Sequence, residues 1–290
     1  MPLRCFRKAY PRFRIINKTG AVPRAMPGSC DRSRKAAVAR SISPSYDSAL
    51  TGFFGTRQPS RNEAEGSHAA YIAALSAHGT EVTVLPALEE HPDCCFTEDT
   101  AVIVGDMAVI PNMGHPTREG EQEAVVEHLS DRYEISRMPV GAKLDGGDVV
   151  FYDDMYLIGI STRTSKDGAE HLASKVREAG YNAQLIPVPS STLHLTTVMS
   201  SPRPGTIIAA EGHFTKELLE PLADELLWVP NRETYAANTI GYSNDRAIIS
   251  AGFPVTREVM LDAGFSITSV DMDPIMQADG SLTCLSVFTE

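Results

Sequence analysis

Five polar side chains recur along the sequence at nearly constant spacing, each close to the start of an apolar run. They are Asp99, Asp145, His194, Asn238 and Cys284, and the intervals between them are 46, 49, 44 and 46 residues. A repeat of this length indicates that one structural unit is used several times. The five side chains are therefore predicted to occupy equivalent positions and to meet at one place.

This set contains the parts of a covalent catalyst. A cysteine thiolate is a strong nucleophile, and a nearby imidazole can pair with it and later protonate a leaving group. Carboxylates bind cations, and a planar guanidinium suits them because it offers forked N–H donors. The combination predicts a cysteine-dependent hydrolase of a guanidinium compound, with Cys284 as nucleophile and His194 as acid–base group.

Each of these residues also has an ordinary structural interpretation. Taken alone, Cys284 is more readily explained as a small core residue, and His194 as a hydrogen-bonded core histidine. Asp145 and Asp148 flank two glycines and could form a turn. A hard divalent metal ion is another alternative for Asp99, Asp145, Asp148 and His194, although no helix face carries a local ligand pair. Only the joint placement favours catalysis without a metal.

Paired strands and intervening helices must position these side chains. Short apolar runs bounded by Gly, Asp, Asn and Pro predict hairpins, over residues 98–111, 145–159, 194–210 and 238–250, with strands at 194–199 and 206–210 in the third. A last single strand is predicted over residues 284–288. Helical periodicity predicts helices over residues 62–78, 118–129, 166–179, 215–227 and 255–263. Short strands such as 81–85 and 184–187 follow the helices.

The two ends of the chain hold the parts of one incomplete unit. The last unit has a single strand, and residues 36–41 form a strand without a partner. Pairing these strands would close a ring and remove an exposed edge. The predicted fold is α/β, with five ββαβ-like units around a pseudo-fivefold axis in one domain over residues 34–290. Unrelated hairpins in an α+β protein are the alternative.

Basic residues are concentrated near the N-terminus. Residues 1–40 hold eleven of the 26 Lys and Arg residues and a single acid, which leaves 15 basic and 36 acidic residues in the rest of the chain. This excess of acidic residues after position 40 disfavours binding to nucleic acid or an anionic membrane, because phosphate contacts need Lys and Arg. It can attract small cations. Residues 1–33 lack hydrophobic periodicity and a signal-peptide core; they are predicted to be a disordered extension.

The cysteines and the hydropathy pattern bear on the cellular setting. Cysteines at positions 5, 30, 94, 95 and 284 form no regular framework, which predicts reduced thiols and a cytoplasmic protein. No C-x-x-C pair indicates structural zinc, and no run of eighteen apolar residues indicates a membrane span. The predicted partner is a small cationic amino acid, and no oligomeric state is predicted.

Four sequence motifs resemble the dimethylarginine dimethylaminohydrolase family. They lie at residues 92–102, 144–149, 193–195 and 279–284. This family belongs to a superfamily of guanidino-group-modifying enzymes that includes arginine deiminase and the amidinotransferases. The resemblance implies a five-bladed α/β propeller that hydrolyses asymmetric dimethylarginine or monomethylarginine to citrulline and an alkylamine. It also implies a covalent thiouronium intermediate and no cofactor.

The resemblance also implies roles for individual residues. Cys284 matches the nucleophile, His194 the general acid and base, and Asp145 the acid that orients the histidine. Asp99 matches the carboxylate that holds the guanidinium. The other implied substrate-binding residues are Glu98 beside it, Arg118 and Arg163 for the substrate carboxylate, Leu50 and Asp93 at the amino-acid end, and Ala278 near the nucleophile.

One position separates this sequence from arginine deiminases, which place a second aspartate two residues after the histidine. Here that position is Thr196. Losing a carboxylate leaves room and fewer hydrogen-bonding demands beside one guanidino nitrogen, which favours a methylated substrate. Arginine deiminase or another guanidine hydrolase is the nearest alternative function. A non-catalytic propeller that binds a cationic amino acid is an alternative from another class.

Overall fold

Three-stranded sheets repeat five times in the computed structural model, which describes residues 32–152 and 154–289. In every sheet the first two strands are antiparallel and the third runs parallel to the second. A parallel neighbour requires a crossover connection, and a helix supplies it in each unit. The predicted helix between hairpins is therefore the element that brings the third strand back.

The strands are short and follow the repeat. In chain order they are β1 (Ala36–Arg40), β2 (Glu81–Leu85), β3 (Val102–Val104), β4 (Met107–Ile110), β5 (Glu134–Arg137), β6 (Val149–Tyr152), β7 (Met155–Ile160), β8 (Asn182–Pro187), β9 (Met199–Arg203), β10 (Thr206–Ala210), β11 (Glu225–Val229), β12 (Ile240–Tyr242), β13 (Arg246–Ser250), β14 (Ser266–Val270) and β15 (Ser286–Phe288). The sheet orders are β15-β1-β2, β3-β4-β5, β6-β7-β8, β9-β10-β11 and β12-β13-β14.

Six α-helices lie between the strands in the described residues. They are α1 (Arg61–Ala77), α2 (Glu123–Ser130), α3 (Lys166–Glu178), α4 (Lys216–Leu219), α5 (Pro254–Asp262) and α6 (Asp273–Met276). The hydroxyl of Ser165 caps the start of α3 by accepting from the backbone N–H of Gly168 at 3.1 Å, a preferred role of serine at helix N-termini. Leu172 and Val176 are buried on the inner face of that helix. No helix in the described part of the chain is long and apolar enough to cross a bilayer.

The chain ends close the ring as predicted. Strand β1 pairs antiparallel with β15, and Val38 lies opposite Val287. One central cavity is lined by β3, β6, β9 and β15, the first strands of four sheets, and by Thr239, directly before the first strand of the fifth sheet. The five sheets have a propeller-like arrangement with fivefold pseudo-symmetry. The predicted α/β fold with a ring of five units is confirmed.

Three local predictions need correction. The helix predicted over residues 215–227 is wrong after its first turn: α4 stops at Leu219, and residues 225–229 form β11, because pairing with β10 satisfies their backbone. Strand β9 begins at Met199 instead of residue 194, since a 3-10 turn precedes it. Helix α2 begins at Glu123 instead of residue 118, beyond Gly120, whose φ of +98° interrupts a helix.

The predicted N-terminal extension falls almost entirely outside the described residues, which begin at Arg32. The Arg32 side chain is buried and donates to the hydroxyl of Ser201 at 2.8 Å. Contacts with the sheets thus begin two residues before the predicted boundary of the domain.

Candidate active site

A short 3-10 turn precedes the first strand of every sheet, and these turns carry the recurring polar side chains. The turns span Thr97–Thr100, Gly146–Asp148, Leu195–Thr197, Asn231–Ala237 and Thr283–Leu285. Asp99 and Cys284 lie within turns, Asp145 and His194 directly before them, and Asn238 directly after one. Because the turns lead into the five innermost strands, residues far apart in sequence meet near the axis.

His194 and Asp145 form a buried hydrogen-bonded pair. The Nε2 atom of His194 lies 3.1 Å from Oδ2 of Asp145, whose other oxygen accepts from the backbone N–H of Gly114 at 2.7 Å. Burial lowers the pKa of His194, but the carboxylates of Asp99 and Asp145 outweigh this effect and raise the pKa to about 9. Burial opposes ionisation of Asp145, yet the bond from His194 lowers its pKa to about 2. The pair is therefore an imidazolium and a carboxylate at neutral pH.

Asp99 provides the second carboxylate. Its Oδ1 atom lies 3.9 Å from Nδ1 of His194 and accepts from the backbone N–H of Gly147 at 2.9 Å. Its Oδ2 atom accepts from Nη1 of Arg118. A Cβ atom added to Gly147 would lie 2.6 Å from Nδ1 of His194 and 2.9 Å from Oδ1 of Asp99. Only glycine at position 147 lets the imidazole and this carboxylate approach so closely.

Cys284 faces the same cavity as His194. Its side chain is buried, and its Sγ atom lies 3.2 Å from the hydroxyl of Ser281. Burial raises the pKa of the thiol, and the carboxylates of Glu98 and Asp99 raise it further. The resting cysteine is thus a neutral thiol, and a cation in the cavity would favour its ionisation by balancing the carboxylates.

One small cavity gathers most of the side chains that the sequence predicted. Its lining includes eight of the ten predicted residues, namely Leu50, Asp93, Asp99, Arg118, Arg163, His194, Ala278 and Cys284. Asp145 stands behind this wall and contacts both His194 and Arg163. Phe96, Leu193, Asp279 and Gly280 also line the cavity and were not predicted.

The two predicted arginines differ in how firmly they are held. Arg118 is buried; its guanidinium donates to Asp99, to the carboxylate of Glu121 at 2.7 Å and to the carbonyl of Phe96 at 2.9 Å. Arg163 is partly exposed and makes one longer contact, 3.4 Å, with Asp145. Arg163 is therefore the arginine more readily available to a ligand carboxylate.

Asp279 fixes a loop over the cavity. Its carboxylate accepts from the backbone N–H groups of Phe53, Phe54 and Gly55, at 3.1, 2.6 and 3.0 Å. At the start of the same loop, the backbone N–H of Leu50 donates to Asp93 at 3.1 Å. Asp279 itself adopts a φ of +58°. No local sequence pattern points to this role, because its partners lie more than 220 residues away.

Glu98 does not join this cavity, although it directly precedes Asp99. Its carboxylate accepts from the hydroxyl of Thr283 at 2.9 Å and from that of Thr196 at 3.4 Å. It lines a separate cavity of about 170 Å³ on the axis, together with Thr239 and residues of the innermost strands. The predicted contact of Glu98 with a guanidinium in the Cys284 cavity is not supported, because neighbouring residues of a tight turn point in different directions. Thr196 also faces the axial cavity, so the geometry gives no support to the predicted space at a guanidino nitrogen.

The metal alternative has a geometric basis. One ligand atom each from Asp99, Asp145 and His194 lies within 4.8 Å of the others. However, Arg118 and Arg163 already donate to the two carboxylates. A bare divalent cation would add positive charge beside two guanidinium groups and offer them no anion. A zwitterionic ligand with a cationic end and a carboxylate would match both the acids and the arginines.

Comparison with known proteins gives consistent matches. A family profile described as "N,N dimethylarginine dimethylhydrolase, eukaryotic" matches residues 54–286. The N(G),N(G)-dimethylarginine dimethylaminohydrolase of Pseudomonas aeruginosa is 29% identical over 79% of this chain and 90% of that protein. An arginine deiminase of Listeria monocytogenes is 30% identical over 39% of this chain and 31% of that protein.

A solved structure also matches. A cysteine-to-serine mutant of the Pseudomonas aeruginosa dimethylarginine dimethylaminohydrolase, complexed with citrulline, has a TM-score of 0.81 to this chain. The match covers 87% of this chain and 98% of that chain, at 29% identity. The likeness thus extends over almost the whole described ring.

Proposed function

The chain belongs to the dimethylarginine dimethylaminohydrolase family, a family of C–N bond hydrolases, and from this premise we propose that it hydrolyses methylated arginine to citrulline and an alkylamine. The observation that supports the proposal most strongly is the meeting of Cys284 and His194 in one cavity that carboxylates and arginines also line. These residues come from four different turns and the loops beside them, so their convergence follows from the fold and not from local sequence.

The proposed substrate carries a cation at one end and a carboxylate at the other. Asp99 lines the cavity and binds the guanidinium in this proposal, whereas Asp145 attracts it only through its negative charge behind the cavity wall. In this proposal Arg163 binds the α-carboxylate of the substrate. Arg118 binds it as well: its guanidinium gives up the hydrogen bond to Asp99 for one to the substrate and keeps its bonds to Glu121. Leu50 and Asp93, which share a hydrogen bond, and the backbone at Ala278 border the amino-acid end.

Substrate binding is expected to ionise the nucleophile. Burial and two carboxylates raise the pKa of Cys284, while the pKa of His194 is about 9. A bound guanidinium places positive charge beside the sulfur and favours the thiolate. The same carboxylates keep His194 protonated, so a nucleophile and a general acid are present together.

The proposed reaction proceeds through a covalent intermediate. The thiolate of Cys284 attacks the central carbon of the guanidinium, and a C–S bond forms. His194 donates its proton to the methylated nitrogen, the C–N bond breaks and dimethylamine or methylamine leaves. The neutral imidazole then takes a proton from water, and the resulting hydroxide attacks the thiouronium carbon. Cleavage of the C–S bond restores the thiolate, and loss of the added hydroxyl's proton to solvent leaves neutral citrulline, while the released alkylamine takes up a proton from solvent. This route uses no metal or organic cofactor.

Arginine deiminase activity is the second candidate function. The local match to a Listeria monocytogenes arginine deiminase favours it, and the same residues could release ammonia from arginine.

Free thiols at Cys94, Cys95 and Cys284 fit the proposed cytoplasmic location, where glutathione keeps cysteines reduced.

Product analysis separates the two functions. The purified full chain is incubated with asymmetric dimethylarginine, monomethylarginine or arginine, and citrulline, dimethylamine, methylamine and ammonia are quantified by mass spectrometry. We expect citrulline with the matching alkylamine in equal amounts, and little ammonia from arginine. Faster release of ammonia from arginine would replace the proposal with a deiminase. Cys284→Ser is the matched control and is expected to be inactive on all three compounds.

A further inference from the structure

A hydrogen-bond network on the axis connects Glu98, a partly buried acid that lines the axial cavity, to the nucleophile's turn. Thr283, the residue before Cys284, donates its hydroxyl to Glu98 at 2.9 Å. Asn238 donates to that hydroxyl at 2.9 Å and to the carbonyl of Thr196 at 2.8 Å, and it accepts from the backbone N–H of Thr283 at 3.0 Å. The Thr196 hydroxyl completes the network by donating to Glu98. Any change in the charge of Glu98 therefore acts one residue away from Cys284.

Glu98 has hydroxyl partners instead of a cation. None of the ion pairs formed within the described ranges includes Glu98, and its neighbour Asp99 adds a like charge. His194 lines the catalytic cavity and Arg34 lines the axial cavity. Both residues, and Tyr71, interact electrostatically with Glu98. A carboxylate that is largely withdrawn from bulk water and has no paired cation tends to bind a proton. Burial, reinforced by Asp99, raises the pKa of Glu98 to about 8.

Building on the function proposed above, we propose that Glu98 is a positioning residue that controls the ionisation of Cys284. Its neutral carboxylic acid, anchored by Thr283, permits the thiolate, and its ionised form opposes the thiolate. Glu98 thus acts through the charge it places behind the nucleophile and does not touch the substrate.

The inference predicts an unusual response to alkali. In most cysteine enzymes a rise in pH simply produces more thiolate. Here the same rise ionises Glu98, and a second negative charge near the sulfur then disfavours the thiolate. Ionisation of Cys284 is therefore expected at a higher pH in the wild-type protein than in a variant with a neutral residue at position 98.

Alkylation of Cys284 tests this inference without any substrate. Wild-type protein and Glu98→Gln are treated with iodoacetamide from pH 6 to pH 11, and the rate at the Cys284 peptide is measured by mass spectrometry. The glutamine keeps an acceptor for Thr283 but cannot ionise, so we expect the midpoint of the profile to fall by about one pH unit. Superimposable profiles for the two proteins would overturn the inference.

A glutamate outside the axial network provides the matched control. Glu233 is buried and accepts from the backbone N–H and hydroxyl of Thr256, at 2.7 and 2.8 Å. It lies outside both cavities, so Glu233→Gln is expected to leave the profile of Cys284 unchanged. An equal shift in this control would show that the effect does not depend on the axial network, and would also overturn the inference.

Variants at Thr283 keep the test decisive if Glu98→Gln does not fold. Thr283→Val removes the hydroxyl that favours the ionised form of Glu98, so the Cys284 midpoint should fall by less than in Glu98→Gln, and Thr283→Ser should restore it. No change in Thr283→Val would contradict the inference. An unreactive Cys284 in Glu98→Gln across the whole pH range would also overturn the inference. Absence of citrulline when the wild-type protein is given methylated arginine would instead contradict the proposed function, so the two failures are distinguishable.

Discussion

Glu98 and Asp99 are neighbours in the chain, yet they lie in cavities of opposite character. Asp99 lines the cavity of Cys284, where it contacts the cationic side chains of Arg118 and His194. Glu98 lines the axial cavity, where it contacts the hydroxyls of Thr196 and Thr283. One cavity stabilises charged carboxylates with cations, whereas the other favours a neutral acid.

The repeated turns of the ring thus separate two cavities of different polarity that are lined by adjacent residues of the chain. Two turns each contribute one side chain to the catalytic cavity and the preceding one to the axial cavity: Asp99 and Glu98 from one turn, Cys284 and Thr283 from the other. The backbone of the turns forms the wall between them. Gly146 shows how tight this wall is, since a Cβ atom there would lie 2.0 Å from the carbonyl oxygen of Glu98.

The largest change to the catalytic cavity is expected from Asp145→Asn. The amide cannot balance an imidazolium, so the pKa of His194 should fall well below about 9, and turnover should fall by about 10³-fold. NMR titration of the imidazole and steady-state kinetics measure the two effects. An unchanged histidine titration would show that Asp145 does not determine the charge of this cavity.

The linked effect on stability has a definite sign. The raised pKa of His194 stabilises the folded wild-type protein fully below about pH 6.5, and this contribution disappears as pH rises through about 9. Asp145→Asn should therefore lose more stability at pH 6 than at pH 10, as measured by urea denaturation at both values.

A smaller change, confined to substrate binding, is expected from Arg163→Gln. Loss of a charged hydrogen bond to the substrate carboxylate should raise KM by about 10- to 100-fold, with a lesser effect on kcat. Arg203→Gln is the matched control, because Arg203 pairs with Glu225 and Asp245 and lines neither cavity. Equal KM values for Arg163→Gln and Arg203→Gln would show that Arg163 does not bind the substrate carboxylate.

Asp279→Asn is expected to have a moderate effect, because it loosens the loop above the catalytic cavity. The amide accepts backbone N–H bonds less strongly than the carboxylate, so unfolding free energy should fall by about 1 kcal/mol and KM should rise several-fold. Asp273→Asn, an exposed partner of Arg57, serves as the control. Wild-type kinetics in Asp279→Asn would show that the loop is held by other contacts.

The smallest effect at neutral pH is expected from Glu98→Gln, which alters the axial cavity. Because the pKa of wild-type Glu98 is raised to about 8, its contribution to stability is complete below about pH 4.5 and disappears as pH rises through about 8. The stability of the wild-type protein relative to the variant should therefore decline between pH 5 and pH 9 in urea denaturation. A constant difference would mean that Glu98 is already ionised at pH 5.

The sequence was most informative where a local pattern repeats. The hairpins, helices α1, α3 and α5, and the positions of the recurring polar side chains all follow from short apolar runs and helical periodicity. The sequence predicts a helix that extends into β11, because Leu219, Leu222 and Leu226 fit a helical period. Its parallel pairing with β10 is a tertiary contact that overrides that local signal.

Side-chain direction and distant contacts were the features that the sequence did not reveal. The turn that contains Glu98 and Asp99 directs them into different cavities, and spacing along the chain carries no information on that difference. Asp279 functions through backbone N–H groups of residues 53–55, which any residue type could present. Both features become visible only after the ring has closed.

Trapping the covalent intermediate tests the central claim most directly. Wild-type protein is mixed with asymmetric dimethylarginine, quenched in acid within milliseconds to seconds, and its peptides are analysed by mass spectrometry. We predict an adduct on Cys284 with the mass of the substrate less dimethylamine, formed and lost at rates that match citrulline production. Continued production of citrulline by Cys284→Ser, or an adduct on another residue, would contradict the account.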